Sequence, residues 1–261
     1  MATYNKRGYK APKEKVENDN AFIEEDVKVD EKDSTTAGVF NSLDQTASKT
    51  EEWVANNQKY IFGVVAAIAL VTVGYLMYQK FIVQPKEDEA ANEMFDAQQN
   101  FQKAVDATKS TDSLFNLALN GEKGKSGFKA IAENYSGTAA GNLANYYAGI
   151  AYLNTGKYTE AITSLESFKS DDAILSTLAV GAIGDAYAQK KQQDKALEQY
   201  VKASEMNKND LTTPRFLMKA GQTALALGKK ADALKYFTEI KEKYESTPEG
   251  STVDALIGLA Q

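Results

Sequence analysis

The chain has 261 residues, 43% hydrophobic and 25% charged, with a net charge of −6 and a mean hydropathy of −0.44. It contains no cysteine and no histidine, which removes disulfides, thiolate nucleophiles, iron–sulfur and cysteine-type zinc centres, Ser-His-Asp catalysis and every histidine-ligated metal. With 36 acids against 30 bases it lacks the concentrated positive surface of a nucleic-acid binder, so no nucleic-acid partner is expected.

Residues 1–33 are polar, strongly charged in both signs and poor in apolar side chains. Such a segment buries too little surface to offset the entropy of ordering, which predicts a disordered tail. It carries Lys6, Arg7, Lys10, Lys13 and Lys15, a cluster that could touch anionic lipid or simply stay solvated. Residues 34–59 differ. Ser34, Thr35 or Thr36 can cap a helix, and Val39, Phe40, Leu43, Ala47, Trp53 and Val54 recur at three- and four-residue spacings. That pattern is an amphipathic helix leading to the membrane. Phe40, Leu43 and Trp53 are the residues expected to dock on a membrane partner, with contact to membrane lipid as the alternative.

From Tyr60 to Gln79 no residue is charged, and Lys59 and Lys80 bracket the run. Twenty residues of helix cover roughly 30 Å, the thickness of a bilayer core. Trp53, Tyr60 and Phe62 precede the centre of the run and Tyr75, Tyr78 and Phe81 follow it, as in an interfacial aromatic belt. The segment is apolar all round rather than striped, which predicts a single membrane-spanning helix over residues 60–82. Two lysines lie close on each side (Lys49, Lys59; Lys80, Lys86), so local charge leaves the orientation open. The basic N-terminal cluster favours a cytoplasmic N-terminus with the C-terminal domain outside.

Beyond Pro85 the chain is rich in alanine and helix formers. Glu87 to Thr108 reads as a long helix with Met94, Phe95, Phe101 and Val105 on its apolar side. A repeat follows. Gly149, Gly184 and Gly221 are separated by 35 and 37 residues, as are Ala161, Ala196 and Ala233. A period near 34 with two helices per unit is the tetratricopeptide pattern. Large residues such as Tyr152, Tyr187, Tyr200 and Phe237 fill the space between hairpins, and Gly156 and Gly228 stand between the two helices of their units. Lys191 takes that place in the second unit. A further echo pairs Phe128, Ile131, Tyr135, Thr138 and Gly141 with Phe237, Ile240, Tyr244, Thr247 and Gly250. It places a degenerate unit before the first clear one and a capping helix over residues 252–261. The fold class expected is therefore all-α, one transmembrane helix followed by a tetratricopeptide-repeat α-solenoid over residues 86–261.

In this repeat the first helix of each hairpin lines the concave face. By position the protein-binding groove would comprise Leu143, Tyr146, Ile150, Leu153 and Asn154, then Asp185 and Gln189, then Arg215, Met218 and Gln222, with Leu178 and Leu225 nearby. Its mixed apolar and polar lining suits an extended or helical polypeptide held without strict sequence readout. The same residues could instead pack against the chain's own helices. Tyr146 and Ile150 stand where a carboxylate clamp of basic and asparagine residues would begin, so a clamp of that kind is excluded. Catalytic constellations are poor. Asp171 and Asp172 read as helix-start acids, Glu87-Asp88-Glu89 as a solvated charge run, and Lys123-Gly124-Lys125 lacks P-loop spacing. No catalytic residue, metal site or cofactor is expected.

A basic tail, one span and a C-terminal repeat array together resemble the YfgM-type ancillary subunits of the bacterial Sec translocon. The YNKRGYK opening and the TEEWVANNQKYIF stretch are similar to the version found in Bacteroidota. The resemblance implies an inner-membrane protein with its repeats in the periplasm, associating with the Sec translocon and a PpiD-like periplasmic chaperone and assisting exported polypeptides, with no enzymatic activity. A structural scaffold for another cell-envelope complex is the alternative.

Overall fold

The computed structural model describes residues 35–261, with side chains at Leu43 and from Thr46 onward. The tail over residues 1–33 and the side chain of Phe40 lie outside the described residues. All regular structure among the described residues is helical. The described residues divide within their first helix into two units, one up to Leu70 and one from Val71 onward.

The first unit holds most of α1 (Thr35–Tyr78). The stretch expected as an amphipathic helix and the start of the apolar run are one uninterrupted helix. Its apolar side chains stay uncovered: Val64, Ile68 and Leu70 are 59%, 61% and 74% exposed. The helical stretch Thr46–Asp106 contains an apolar window long enough to cross a membrane, and none of that window is buried.

In the second unit α1 passes into a π-helical segment, Gln79–Val83, and then into α2 (Gln84–Asp106). Pro85 explains the change of pitch. It has no N–H to donate and its ring crowds the carbonyl four residues back. The backbone widens by one residue there, with the Gln84 N–H donating to the Gln79 carbonyl. Along α2 the buried residues are Ala90, Met94, Ala97 and Ala104, with Phe101 partly buried beside them. The expectation for Phe95 and Val105 is corrected: they are 60% and 56% exposed. The buried stripe advances by alternating steps of four and three, and Phe95 and Val105 each sit one residue past a buried position.

Helices α3 (Thr111–Asn120), α4 (Phe128–Asn134) and α5 (Ala139–Asn154) follow, then α6 (Tyr158–Ser167), α7 (Ala173–Gln189) and α8 (Gln193–Met206). The array continues with α9 (Thr213–Ala226) and α10 (Lys230–Lys243), then a short α11 (Pro248–Thr252), and α12 (Asp254–Ala260) lies within residues 252–261, where a capping helix was expected. From α5 to α10 each helix packs mainly on its sequence neighbours, the quasi-one-dimensional order of a solenoid. Ala161, Ala196 and Ala233 are fully buried. A side chain at Gly149, Gly184 or Gly221 would run into Leu165, Tyr200 or Phe237 respectively, each sixteen residues further along. The absent Cβ therefore sets how closely the two helices of every hairpin approach.

The two echoing segments fold alike. Phe128, Ile131, Phe237 and Ile240 are all fully buried. Thr138 Oγ1 donates to the Tyr135 carbonyl at 2.8 Å and accepts from the Gly141 N–H at 2.9 Å. Thr247 repeats both bonds with Tyr244 and Gly250 at 2.7 and 3.2 Å. Phe128 stacks on Tyr147 with ring centres 5.0 Å apart, and Phe101 meets both rings edge-on. This aromatic cluster holds α2 against the first hairpins.

Candidate polypeptide-binding cleft

Leu153, Asn154, Asp185 and Gln189 come together in one cleft of about 480 Å³, completed by Tyr158, Ala188, Tyr200 and Lys219. The register of the repeat brings them there. Asn154 and Gln189 each lie five residues past the small residue of their first helix, Gly149 and Gly184. Asp185 follows Gly184 directly and stands on the same side of α7 as Gln189.

The polar centre of the cleft is built on Gly184. Because that position has no Cβ, the Tyr200 ring lies against α7, and its hydroxyl donates to Asp185 Oδ1 at 2.8 Å. Lys219 of α9 donates to the same oxygen, and its ammonium stands 5.5 Å from the Tyr200 ring centre, a cation–π distance. Burial and the adjacent Asp185 carboxylate push the Tyr200 phenol far above its usual range, so it remains a proton donor. Asp185 and Lys219 keep 32% and 29% of their side chains exposed. The pair is thus open to a ligand without being fully solvated. Asn154 is exposed, and its Nδ2 donates to the Ile150 carbonyl at 2.8 Å. Leu153, Ala188 and the tyrosine rings give the cleft an apolar flank.

The remaining expected groove residues are distributed otherwise. Tyr146 packs on Phe168 with ring centres 5.2 Å apart and on Tyr147. Its phenol is pushed up by burial and by Tyr147, with the Arg215 charge opposing. Arg215 therefore lies within electrostatic reach of Tyr146 although 69 residues separate them. Leu143 and Ile150 pack against the hydrophobic clusters, Met218 is 9% exposed within the core, and Arg215 and Gln222 face solvent. Leu43 and Trp53 of the docking set are 60% and 61% exposed.

Sequence reasoning missed Tyr158 and Lys219 and read Tyr200 only as a spacer. A signal for Tyr200 was present. Among the equivalents Leu165, Tyr200 and Phe237 only one carries a hydroxyl, and among Ile150, Asp185 and Gln222 only one is an acid. Both fall in the second unit. On the opposite side of α7, Ser176, Ala179, Val180 and Ile183 line a separate cleft of about 380 Å³ with residues of α6 and α8. No group of three or more acidic side chains among the described residues is placed to hold a metal ion.

Residues 143–172 and 216–247 match one tetratricopeptide-repeat family model, and residues 179–210 match a second. The three matched segments coincide with the three hairpins α5–α6, α7–α8 and α9–α10. Comparison with curated proteins and with solved structures gives no match. The second unit thus contains tetratricopeptide repeats, a fold whose hairpins serve protein–protein interaction.

Proposed function

We propose that the protein is a membrane-anchored polypeptide-binding subunit of the bacterial inner membrane that holds exported chains beside the Sec translocon, together with a PpiD-like periplasmic chaperone. Its N-terminus lies in the cytoplasm and its repeats in the periplasm. The observation that carries the binding role is the cleft on the first helices of successive repeats. It offers the exposed amide of Asn154, an Asp185–Lys219 pair whose side chains are about one-third exposed and an apolar flank of Leu153 and Ala188. An extended main chain presents alternating N–H and C=O groups with side chains between them, and this set answers both without reading a particular sequence. The anchoring part is supported by the uncovered apolar window. The place beside the translocon is supported by the resemblance carried by YNKRGYK and TEEWVANNQKYIF.

The test uses the full-length chain in its own membrane, with a photo-crosslinking residue at Asn154 or Gln189 and a control at the exposed Thr163 of α6. Adducts with many nascent exported chains at the first two positions, weakened at least fivefold by Asp185→Ala, are expected. One stoichiometric partner alone would assign a scaffold instead. Equal labelling from Thr163 would overturn the cleft as the binding site.

A further inference from the structure

The first half of α1 carries a second uncovered surface. Leu43, Ala47, Thr50, Val54, Asn57, Ile61 and Val64 recur by alternating steps of four and three, the heptad seam of a coiled coil. Leu43, Val54 and Val64 are 60%, 43% and 59% exposed. A shallow groove of about 470 Å³ runs along the same face, lined by Thr50, Glu51, Val54, Ala55, Gln58, Ile61 and Phe62.

Lipid does not reach the upper part of this seam. The helix is continuous from Thr35 through the start of the apolar run. Leu43 stands 17 residues before Tyr60, about 25 Å along the axis at 1.5 Å per residue. The headgroup layer adds only about 5–7 Å on each side of the hydrocarbon core. A helix that crosses the membrane therefore holds Leu43 and Ala47 in water and Val54, six residues before Tyr60, at the outer edge of the headgroup layer. Apolar seam positions there, interrupted only by Thr50 and Asn57, are suited to a protein cover.

We propose that this face is covered by the same face of a second copy of the chain, in a parallel two-stranded coiled coil over residues 43–64. The inference rests on the membrane anchoring proposed above, which sets both copies in one direction and in register. The seam is suited to pair with itself. Val54 and Ile61 occupy the a positions with Ala47, the β-branched choice that two-stranded coils make at a, and Leu43, Thr50, Asn57 and Val64 occupy d. Thr50 Oγ1 and Asn57 Nδ2 donate to the carbonyls of Thr46 and Trp53 on their own helix at 2.7 and 2.8 Å. The Asn57 amide keeps one N–H and its oxygen, the complementary pair that two asparagines exchange across a two-fold axis. Lys49, Glu52 and Lys59 fall outside the seam. Glu51, beside it, faces Thr46 of the second copy, so no like charges meet. Small residues at Gly63 and Ala67 lie on another face and take no part.

The natural absence of cysteine gives a clean test in the full-length protein. Single substitutions Ala47→Cys, Thr50→Cys and Val54→Cys, oxidised in native membranes, should each yield a species of twice the chain mass, at least tenfold more than Lys49→Cys, Glu52→Cys or Asn56→Cys. Equal yields at all six positions, or none, would overturn the coiled coil. A seam adduct of another mass would assign the face to a foreign helix. Alkaline extraction of the same membranes separates the two readings. Release of the chain defeats the anchoring, whereas retention without periodic crosslinks defeats only the pairing.

Discussion

Lys191 ends α7 in the left-handed region at φ 58°, where the neighbouring hairpins place Gly156 and Gly228 at φ 73°. All three sit in the same cap. The next N–H, of Lys157, Gln192 or Lys229, donates five residues back to Tyr152, Tyr187 or Ala224 at 2.8–2.9 Å, which satisfies carbonyls that the helix end would otherwise orphan. The backbone geometry is thus imposed by the cap and not by the residue, and a side chain there costs about 1–2 kcal/mol that glycine avoids. Glycine returns part of this by its larger loss of freedom on folding. Lys191→Gly is therefore expected to stabilise the solenoid by about 0.5–1 kcal/mol, read as a higher thermal midpoint of the full chain in detergent. A lower midpoint would mean that the lysine side chain contributes more than its backbone costs. The sequence marked Lys191 as a departure from the repeat. It did not mark the restoring cap, because the hydrogen bonds that hold a residue left-handed belong to its neighbours.

At the scale of elements, the start of α5 depends on a residue far upstream. Glu87 of α2 accepts the N–H groups of Ala139 and Ala140 at 2.7 and 2.8 Å, and Thr138 takes that of Gly141. Three of the four orphan donors of the helix are met in this way, two of them by a charge placed where the macrodipole favours it. Glu87→Ala should cost about 1.5–3 kcal/mol, the range for hydrogen bonds to an ionised group. Amide exchange at Ala139 and Ala140 should accelerate, while α9 and α10 keep their protection, because a solenoid opens by neighbouring units. The adjacent and exposed Asp88→Ala should stay within about 0.5 kcal/mol. Equal costs would return Glu87 to the solvated charge run that its sequence context suggests. This contrast shows what local pattern conveys. Periodicity located α5 to α10, and the echo paired Thr138 with Thr247 without identifying either as a helix cap. A contact spanning 52 residues leaves no trace in spacing. The buried stripe of α2 was misread for a related reason: the small alanines that face the core carry less signal than the exposed Phe95 and Val105. The cleft lay between these cases. Its helix faces followed from register, but the meeting of Asp185, Tyr200 and Lys219 required knowing that Gly184 admits a ring.

For the whole molecule the decisive contrast is between an average and its parts. A mean hydropathy of −0.44 describes neither the uncharged run from Tyr60 to Gln79 nor the repeat domain, where Ala161, Ala196 and Ala233 are all fully buried. In the repeat unit apolar side chains are mostly satisfied by neighbouring helices, whereas Val64, Leu70 and Tyr75 stay 59%, 74% and 58% exposed. Leaving such a surface in water costs roughly 25 cal/mol per Å² of apolar area, which supports the membrane anchoring proposed above. The full chain should accordingly stay with membranes under alkaline extraction, and a chain lacking residues 60–82 should leave them. The proposed direction rests on the tail. Lys49 and Lys59 on one side balance Lys80 and Lys86 on the other, and the cluster from Lys6 to Lys15 tips the excess toward the N-terminal side. Protease added to spheroplasts should then digest the repeats and spare an N-terminal fragment carrying the tail. Protection of the repeats with loss of the tail would reverse the orientation and place the Asn154–Lys219 cleft among cytoplasmic polypeptides instead of exported ones.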